Sequence, residues 1–243
     1  LLGANYANNL DAFGNDLPYD MDAADSKVYE GDRTQYSYIL NKNTYGINLS
    51  TEIDLPRWNV VASIFSSHSE SYRDGQFRNH YYLNSSKGKS GLYNTTDAGM
   101  KAKVTYKIDG KNFLVYTGAF FTLAPTLNEI FVNPRTTNLI TPEIQNMQIN
   151  SNELSYIIRS QILKLRLSGY YTTIKKATEF SRYYFDISGG TTDEGNALAA
   201  EILTNLNKTY KGLELGAEIK VTPTLSVTAV GSYGDYTIAN NPN

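Results

Sequence analysis

In 243 residues there is no cysteine, and only one tryptophan, three methionines and two histidines. Without thiols the chain has neither a disulfide framework nor a thiolate ligand or nucleophile. The lack is compatible with passage through an oxidising periplasm. Nowhere do about eighteen apolar residues follow one another, which excludes a spanning α-helix. A β-barrel stays open, because each of its strands needs only about 9 to 11 residues and turns a single face to lipid. Excess positive charge is also missing: 22 Lys and Arg stand against 24 Asp and Glu. Nucleic acid is therefore set aside as a partner. The opening Leu1-Leu2-Gly3-Ala4-Asn5 has no basic start, no sustained apolar stretch and no Met. It reads neither as a signal peptide nor as a natural beginning.

What the chain has is tyrosine, 20 of them, a residue suited to surfaces apolar at one end and wet at the other. It also has alternation. Leu163, Leu165, Leu167, Gly169 and Tyr171 enclose Lys164, Arg166 and Ser168. Leu213, Leu215, Ala217, Ile219 and Val221 enclose Glu214, Gly216, Glu218 and Lys220, and Met100 to Ile108 alternates with lysines and Thr105. A period of two places these sets on opposite faces of a strand. Eight long strands are expected at about 43–54, 58–68, 97–108, 112–121, 147–159, 162–175, 206–221 and 224–238. Leu55-Pro56-Arg57, Asp109-Gly110-Lys111, Ser160-Gln161 and Thr222-Pro223 read as tight turns joining them in pairs. Long polar connections at 69–96, 122–146 and 176–205 separate the pairs, and the acidic stretch 8–36 reads as another loop. Short turns alternating with long loops are the asymmetry of a membrane barrel. The fold class expected is all-β, an antiparallel up-and-down meander of about eight long strands forming part of a transmembrane β-barrel. With an even number of strands, both ends should lie on one side. Two other architectures produce similar patterns: a soluble β-sandwich binding or adhesion module, and a small stand-alone eight-stranded outer-membrane barrel.

The middle of the chain reads Phe121, then Ala124-Pro125-Thr126-Leu127-Asn128-Glu129-Ile130-Phe131, Asn138-Leu139, Pro142-Glu143 and Asn152-Glu153-Leu154. Leu165 to Thr172 and Tyr210 to Glu218 follow in order. This series resembles the barrel signature of TonB-dependent outer-membrane receptors, with Leu123 where the family often has Arg. The resemblance spans about Tyr29 to Pro242. It implies that residues 1–243 are a partial barrel domain lacking the plug, in the cell outer membrane of a two-membrane bacterium. The implied role is TonB-energised uptake of a siderophore, glycan, peptide or corrinoid. The implied partners are outer-membrane lipid, the missing plug and remaining strands, the TonB inner-membrane complex and a surface lipoprotein. No enzymatic activity, cofactor or metal is expected.

Several constellations have a chemical and a bland reading. Glu214 and Glu218 share a strand face and could do acid-base work, but a wet barrel interior explains them with Lys208, Lys211 and Lys220 as counter-charges. His68 and His80 match no zinc spacing. His68 with Ser66, Ser67 and Glu70 could mimic a hydrolase site, yet strand neighbours alternate faces. Gly88-Lys89-Ser90 ends like a phosphate loop but lacks its first glycine. Arg182-Tyr183-Tyr184-Phe185-Asp186, placed early in a long loop, could stack on a sugar or flat ligand, or anchor a strand end at the headgroups; the girdle reading carries more weight. Arg135, with Asn133 on the same polar loop, could clamp an anionic ligand, although a structural arginine is the plainer reading. The ligand-contact candidates are thus Asn133, Arg135, Tyr183, Tyr184 and Phe185.

Overall fold

The computed structural model describes the backbone of residues 2–6, 33–79, 82–186 and 196–240, and the side chains of 36–79, 82–181 and 201–240. The strands are β1 (Leu2–Tyr6), β2 (Arg33–Asp54), β3 (Trp58–Gly75), β4 (Gly88–Lys89), β5 (Tyr93–Lys107), β6 (Asn112–Leu123), β7 (Met147–Arg159), β8 (Leu163–Asp186), β9 (Asn196–Lys220) and β10 (Ser226–Ile238), with one short helix, α1 (Leu127–Ile130). All described strands belong to one antiparallel sheet in the order β1-β2-β3-β5-β6-β7-β8-β9-β10, with the two-residue β4 on β3. Eight of them are the long strands expected. Because there is one sheet, the Leu and Val rows do not pack against a second one, which overturns the sandwich alternative. Among the described residues β1 and β10 do not pair, so the closed eight-stranded barrel has no support.

Four corrections concern lengths. A further short strand, β1, precedes the eight, so the even count does not hold; its Leu2 pairs with Ile39 at the loop end of β2, the end of the sheet at which β10 also finishes. Residues 33–36, read as loop, already belong to β2. The region 69–96 yields its first residues to β3 and its last to β5. Most of 176–205 is a continuation of the β8–β9 hairpin, paired as far as Asp186 with Asn196. Most of the acidic opening segment lies outside the described residues.

The short connections are built as turns. The N–H of Leu55 donates to Trp58 O at 2.7 Å, that of Ser160 to Leu163 O at 2.9 Å and that of Val221 to Leu225 O at 2.9 Å. In the remaining turn, between β5 and β6, one Oδ of Asp109 accepts the amides of Lys111 and Asn112, each at 2.7 Å, a local device that fixes a chain reversal. These two amides and the Asn112 side chain, in an exposed loop, hold the Asp109 carboxyl below the usual carboxylate range.

Register shows how the two faces are made. Partners in an antiparallel ladder point the same way. One row therefore carries Ile53, Val60, Val104, Tyr116, Leu154, Gly169, Leu213 and Tyr233, and the next Trp58, Tyr106, Leu114, Tyr156, Leu167 and Leu215. Most of these large side chains are exposed, Tyr233 by 75% and Leu213 by 57%. Between them runs the opposite face, with rows such as Thr105, Val115, Ser155, Ser168, Glu214 and Ser232.

The apolar band is oblique to the rows. On β2 it covers Tyr45 to Ile53, centred on Leu49; on β9 it covers Leu213 to Val221, centred on Ala217. The hydrogen-bonded row of Leu49 passes through Ile64, Met100, Phe120, Asn150 and Thr173 to Thr209, eight residues from Ala217. Eight residues over six strand-to-strand steps is a drift of about 4.4 Å for each ~4.8 Å between strands. That corresponds to a strand tilt of about 40°, within the range of transmembrane barrels.

Candidate functional site

Two regions of the sheet carry chemistry: its polar face and the loop cluster beyond the apolar band, at the end away from the short turns. The polar face is a field of paired charges. Lys107 Nζ lies 2.7 Å from Asp54 Oδ1, Arg166 Nη2 2.5 Å from Glu153 Oε1, and Lys164 Nζ 3.2 Å from Glu218. Lys208 pairs with Glu179. The Ser155 hydroxyl donates to Glu153 at 2.7 Å, lies 2.9 Å from Ser168 Oγ, and Arg166 Nε donates to Ser168 Oγ at 3.0 Å. Pairs this exposed contribute about 0 to 1 kcal/mol each; their effect is to keep the face wet. Glu214 stands on it beside Ser168 and Ser232, in no catalytic arrangement with Glu218. Lys211, expected among their counter-charges, is on the apolar face instead, above Leu213, where it pairs with Asp235 at 3.2 Å.

Past the apolar band the polar face closes under packed loops. Leu40, Ile130 and Phe131 are essentially buried, with Tyr38, Tyr93 and Leu127 against them. Arg73, fully buried, is the hub. Its Nε donates to Pro134 O at 2.6 Å, and Nη1 donates to Ser86 O at 2.6 Å and to Asn138 Oδ1 at 2.5 Å. The guanidinium also lies 5.5 Å from the Tyr38 ring. Burial lowers its pKa to about 10, which still leaves it charged at neutral pH. Asn138 then reaches Gly88 O at 3.1 Å. Gly75 allows the close approach, since a Cβ there would fall 1.8 Å from Ser86 O. In the same cluster the Glu129 carboxylate accepts the Thr126 amide at 2.6 Å, closing α1 at its start. Asp97 accepts Ala124 N–H at 3.0 Å and the Asn146 side chain at 2.7 Å.

The expected contact residues fall into two groups. Asn133 and Arg135 are in this cluster: Asn133 Oδ1 accepts the Arg135 amide at 3.1 Å, and the Arg135 guanidinium lies 5.0 Å from the Tyr36 ring. Tyr183, Tyr184 and Phe185 are not in a loop, as expected from the sequence, but on β8, paired with Ala199, Leu198 and Ala197. Their side chains lie outside the described residues. Twelve residues past Tyr171 is about 40 Å along a strand, too far beyond the apolar band for headgroup anchoring, so the girdle reading does not hold for them. Arg73 was missed. No local pattern marks it, because its partners are 13 to 65 residues away. His68 lies on the apolar-band side, 3.1 Å from Thr96 Oγ1, with no third group orienting it; His80 lies outside the described residues. Gly88, at φ +84°, begins the two-residue β4, with no helix after it.

The tilted, two-faced sheet with short turns at one end defines the class: wall of an outer-membrane-type β-barrel. Among solved structures it is similar to the copper transporter OprC, with a TM-score of 0.64 at 14% identity, over 92% of this chain and 34% of that one. The chain thus spans about a third of that structure's length. The siderophore receptor PirA from Pseudomonas aeruginosa aligns with a TM-score of 0.49 at 12% identity, over 87% of this chain and 45% of that one. No family model and no curated protein matches the sequence.

Proposed function

We propose that this chain is a section of the barrel of a TonB-dependent outer-membrane receptor and takes part in nutrient import rather than catalysis. The observation that carries the reading is the oblique apolar band, about 40° to the strands, with paired charges on the opposite face. Lipid covers the band; the charged face lines the conduit. Beyond the band, the Arg73-pinned loops and the β8–β9 hairpin stand outside the cell, where Asn133, Arg135, Tyr183, Tyr184 and Phe185 are placed to meet cargo. In this scheme the plug, further strands and the TonB inner-membrane complex complete the machine, with a surface lipoprotein as a further partner. OprC is a copper transporter and PirA a siderophore receptor by name; metal chelates are accordingly the first cargo class to test. Described side chains hold no cluster of three His, Cys, Asp or Glu suited to a bare metal ion. Uptake by cells with and without the gene tests the proposal. Loss of energy-dependent uptake of one nutrient, restored by the gene, is expected; unchanged uptake of every siderophore, glycan, peptide and corrinoid offered would contradict it.

A further inference from the structure

The outward face is the one that neither a plug nor further strands would cover, and the oblique band marks a level on it. Start from the centre line that joins Leu49 to Ala217. The outward residue about six positions toward the loop end of β2, β3, β5, β6, β7 and β8 is Asn43, His68, Thr96, Thr122, Asn150 and Thr173 in turn. Six positions on strands tilted by about 40° rise roughly 15 Å, just past half of a ~25 Å apolar band. These residues therefore form a belt at the headgroups. Asn43, His68, Thr96 and Asn150 are exposed, and Thr122 and Thr173 half-buried. On β9 the same level falls on Lys211, whose charge is taken by Asp235 at 3.2 Å. The next outward charges above the belt on β3 and β8, Glu70 and Lys175, are one of each sign. Just below it stand Tyr45, Tyr171 and Tyr233, each more than half exposed. At the short-turn end the band runs out instead on Leu55, Trp58 and Ile108, which are large, apolar and exposed.

We propose that this belt binds the sugar of an outer-leaflet glycolipid through its amide and hydroxyl groups, and not the phosphates of that leaflet. An amide or hydroxyl both donates and accepts, as sugar hydroxyls do. Phosphate recognition calls for arginine or lysine, and the one lysine at this level is already paired. A hydrogen-bonded chain leads up to the belt: the Tyr116 hydroxyl donates to Asn152 Oδ1 at 2.7 Å, and Asn152 Nδ2 donates to Asn150 Oδ1 at 3.0 Å. Asn152 lies within the band, where water cannot serve it, so the chain satisfies its amide. The same chain ties the Asn150 carboxamide by its oxygen and leaves the NH2 for a sugar oxygen. The tyrosine rings below offer flat apolar faces with a polar tip, suited to the boundary between hydrocarbon and sugar. The inference rests on the apolar band being the lipid contact and the loop end being the outer one.

The test is lipid retention by the full-length receptor. It is equilibrated in phosphatidylcholine vesicles doped equally with digalactosyl diacylglycerol, a sugar without phosphate, and phosphatidylglycerol, a phosphate without that sugar. After extraction in mild detergent, the lipids kept are counted by native mass spectrometry. Strands outside this section also meet the leaflet, so the deciding quantity is the difference between parent and variant. N150A/T173V should retain less galactolipid, as a site weakened about tenfold by the loss of two neutral hydrogen bonds would. It should keep its phosphatidylglycerol, and the difference from the parent should not change as NaCl rises. N43A/T96V, at the other end of the belt, should behave alike, while E214A, on the opposite face, should match the parent. Unchanged galactolipid retention in either double variant, or a loss that falls on phosphatidylglycerol instead, would overturn the inference. Lipid protection of the apolar band is a separate measurement, so failure here leaves the barrel reading standing.

Discussion

Arginine substitutions along a single hydrogen-bonded row give the sharpest view of how the sheet meets the bilayer. Leu49 on β2 and Thr209 on β9 share a row and a face, so a bilayer parallel to the rows would treat them alike. With the band tilted by about 40°, Leu49 lies at its centre on β2. Thr209 lies eight residues from the centre on β9, or about 26 Å along the strand and roughly 20 Å along the normal. That exceeds half of a ~25 Å apolar band. Leu49→Arg should therefore cost about 2 to 4 kcal/mol and Thr209→Arg about 0 to 1 kcal/mol. Ala217→Arg, central on β9, should cost as much as Leu49→Arg. Folding equilibria of the full-length receptor in lipid vesicles, titrated with urea, give the differences. Equal costs at Leu49 and Thr209, or a harmless Ala217→Arg, would refute the oblique band.

Other consequences follow from particular contacts. Leu215→Arg should impair assembly by about 2 kcal/mol while Glu214→Ala, one residue away on the other face, should leave it within about 0.5 kcal/mol; equal damage in the same vesicle assay would reverse the facing. Arg73→Met removes a buried charge whose acceptors are Pro134 O, Ser86 O and Asn138 Oδ1. The loops should open by about 3 kcal/mol, read as faster protease cleavage at Lys87 and Arg135 with an unchanged barrel core; unaltered cleavage would remove Arg73 from its role as hub. Asp109 has a depressed carboxyl pKa, so its support of the turn is present above the ordinary carboxylate value and is lost as pH falls through the lowered one. Amide exchange at Lys111 and Asn112, corrected for intrinsic rates, should quicken in acid in the parent but be fast at all pH in Asp109→Ala; identical profiles would rule the turn lock out.

The strands were legible where one face is apolar and the other wet. Leu163 to Tyr171 and Leu213 to Val221 alternate because each successive side chain meets a different medium. Beyond the band both faces of a protruding hairpin meet water and the period disappears. For that reason 176–186 and 196–205 read as loop although they are strand, and the start of β2 read as an acidic connection. The tight turns were recognisable from Pro56, Gly110 and Pro223 and from Asp109. The loop cluster was not. Arg73 sits in a stretch, Ser71-Tyr72-Arg73-Asp74, that read as part of the long polar connection 69–96, and its burial depends on Pro134 and Asn138 far along the chain. Arg135, read as a clamp for a ligand, has its guanidinium close to Tyr36 as well, a contact no spacing announces.

The absence of native cysteine permits a direct measurement of which face meets lipid. Single cysteines placed at each position from 209 to 221, in the full-length receptor otherwise free of cysteine and reconstituted into vesicles, are challenged with a membrane-impermeant thiol reagent trapped on both sides. Positions 214, 216, 218 and 220 should label rapidly, and 213, 215, 217 and 219 should be protected until detergent is added. Uniform labelling along the segment, or protection of the even positions instead, would contradict a sheet that stands between oil and water.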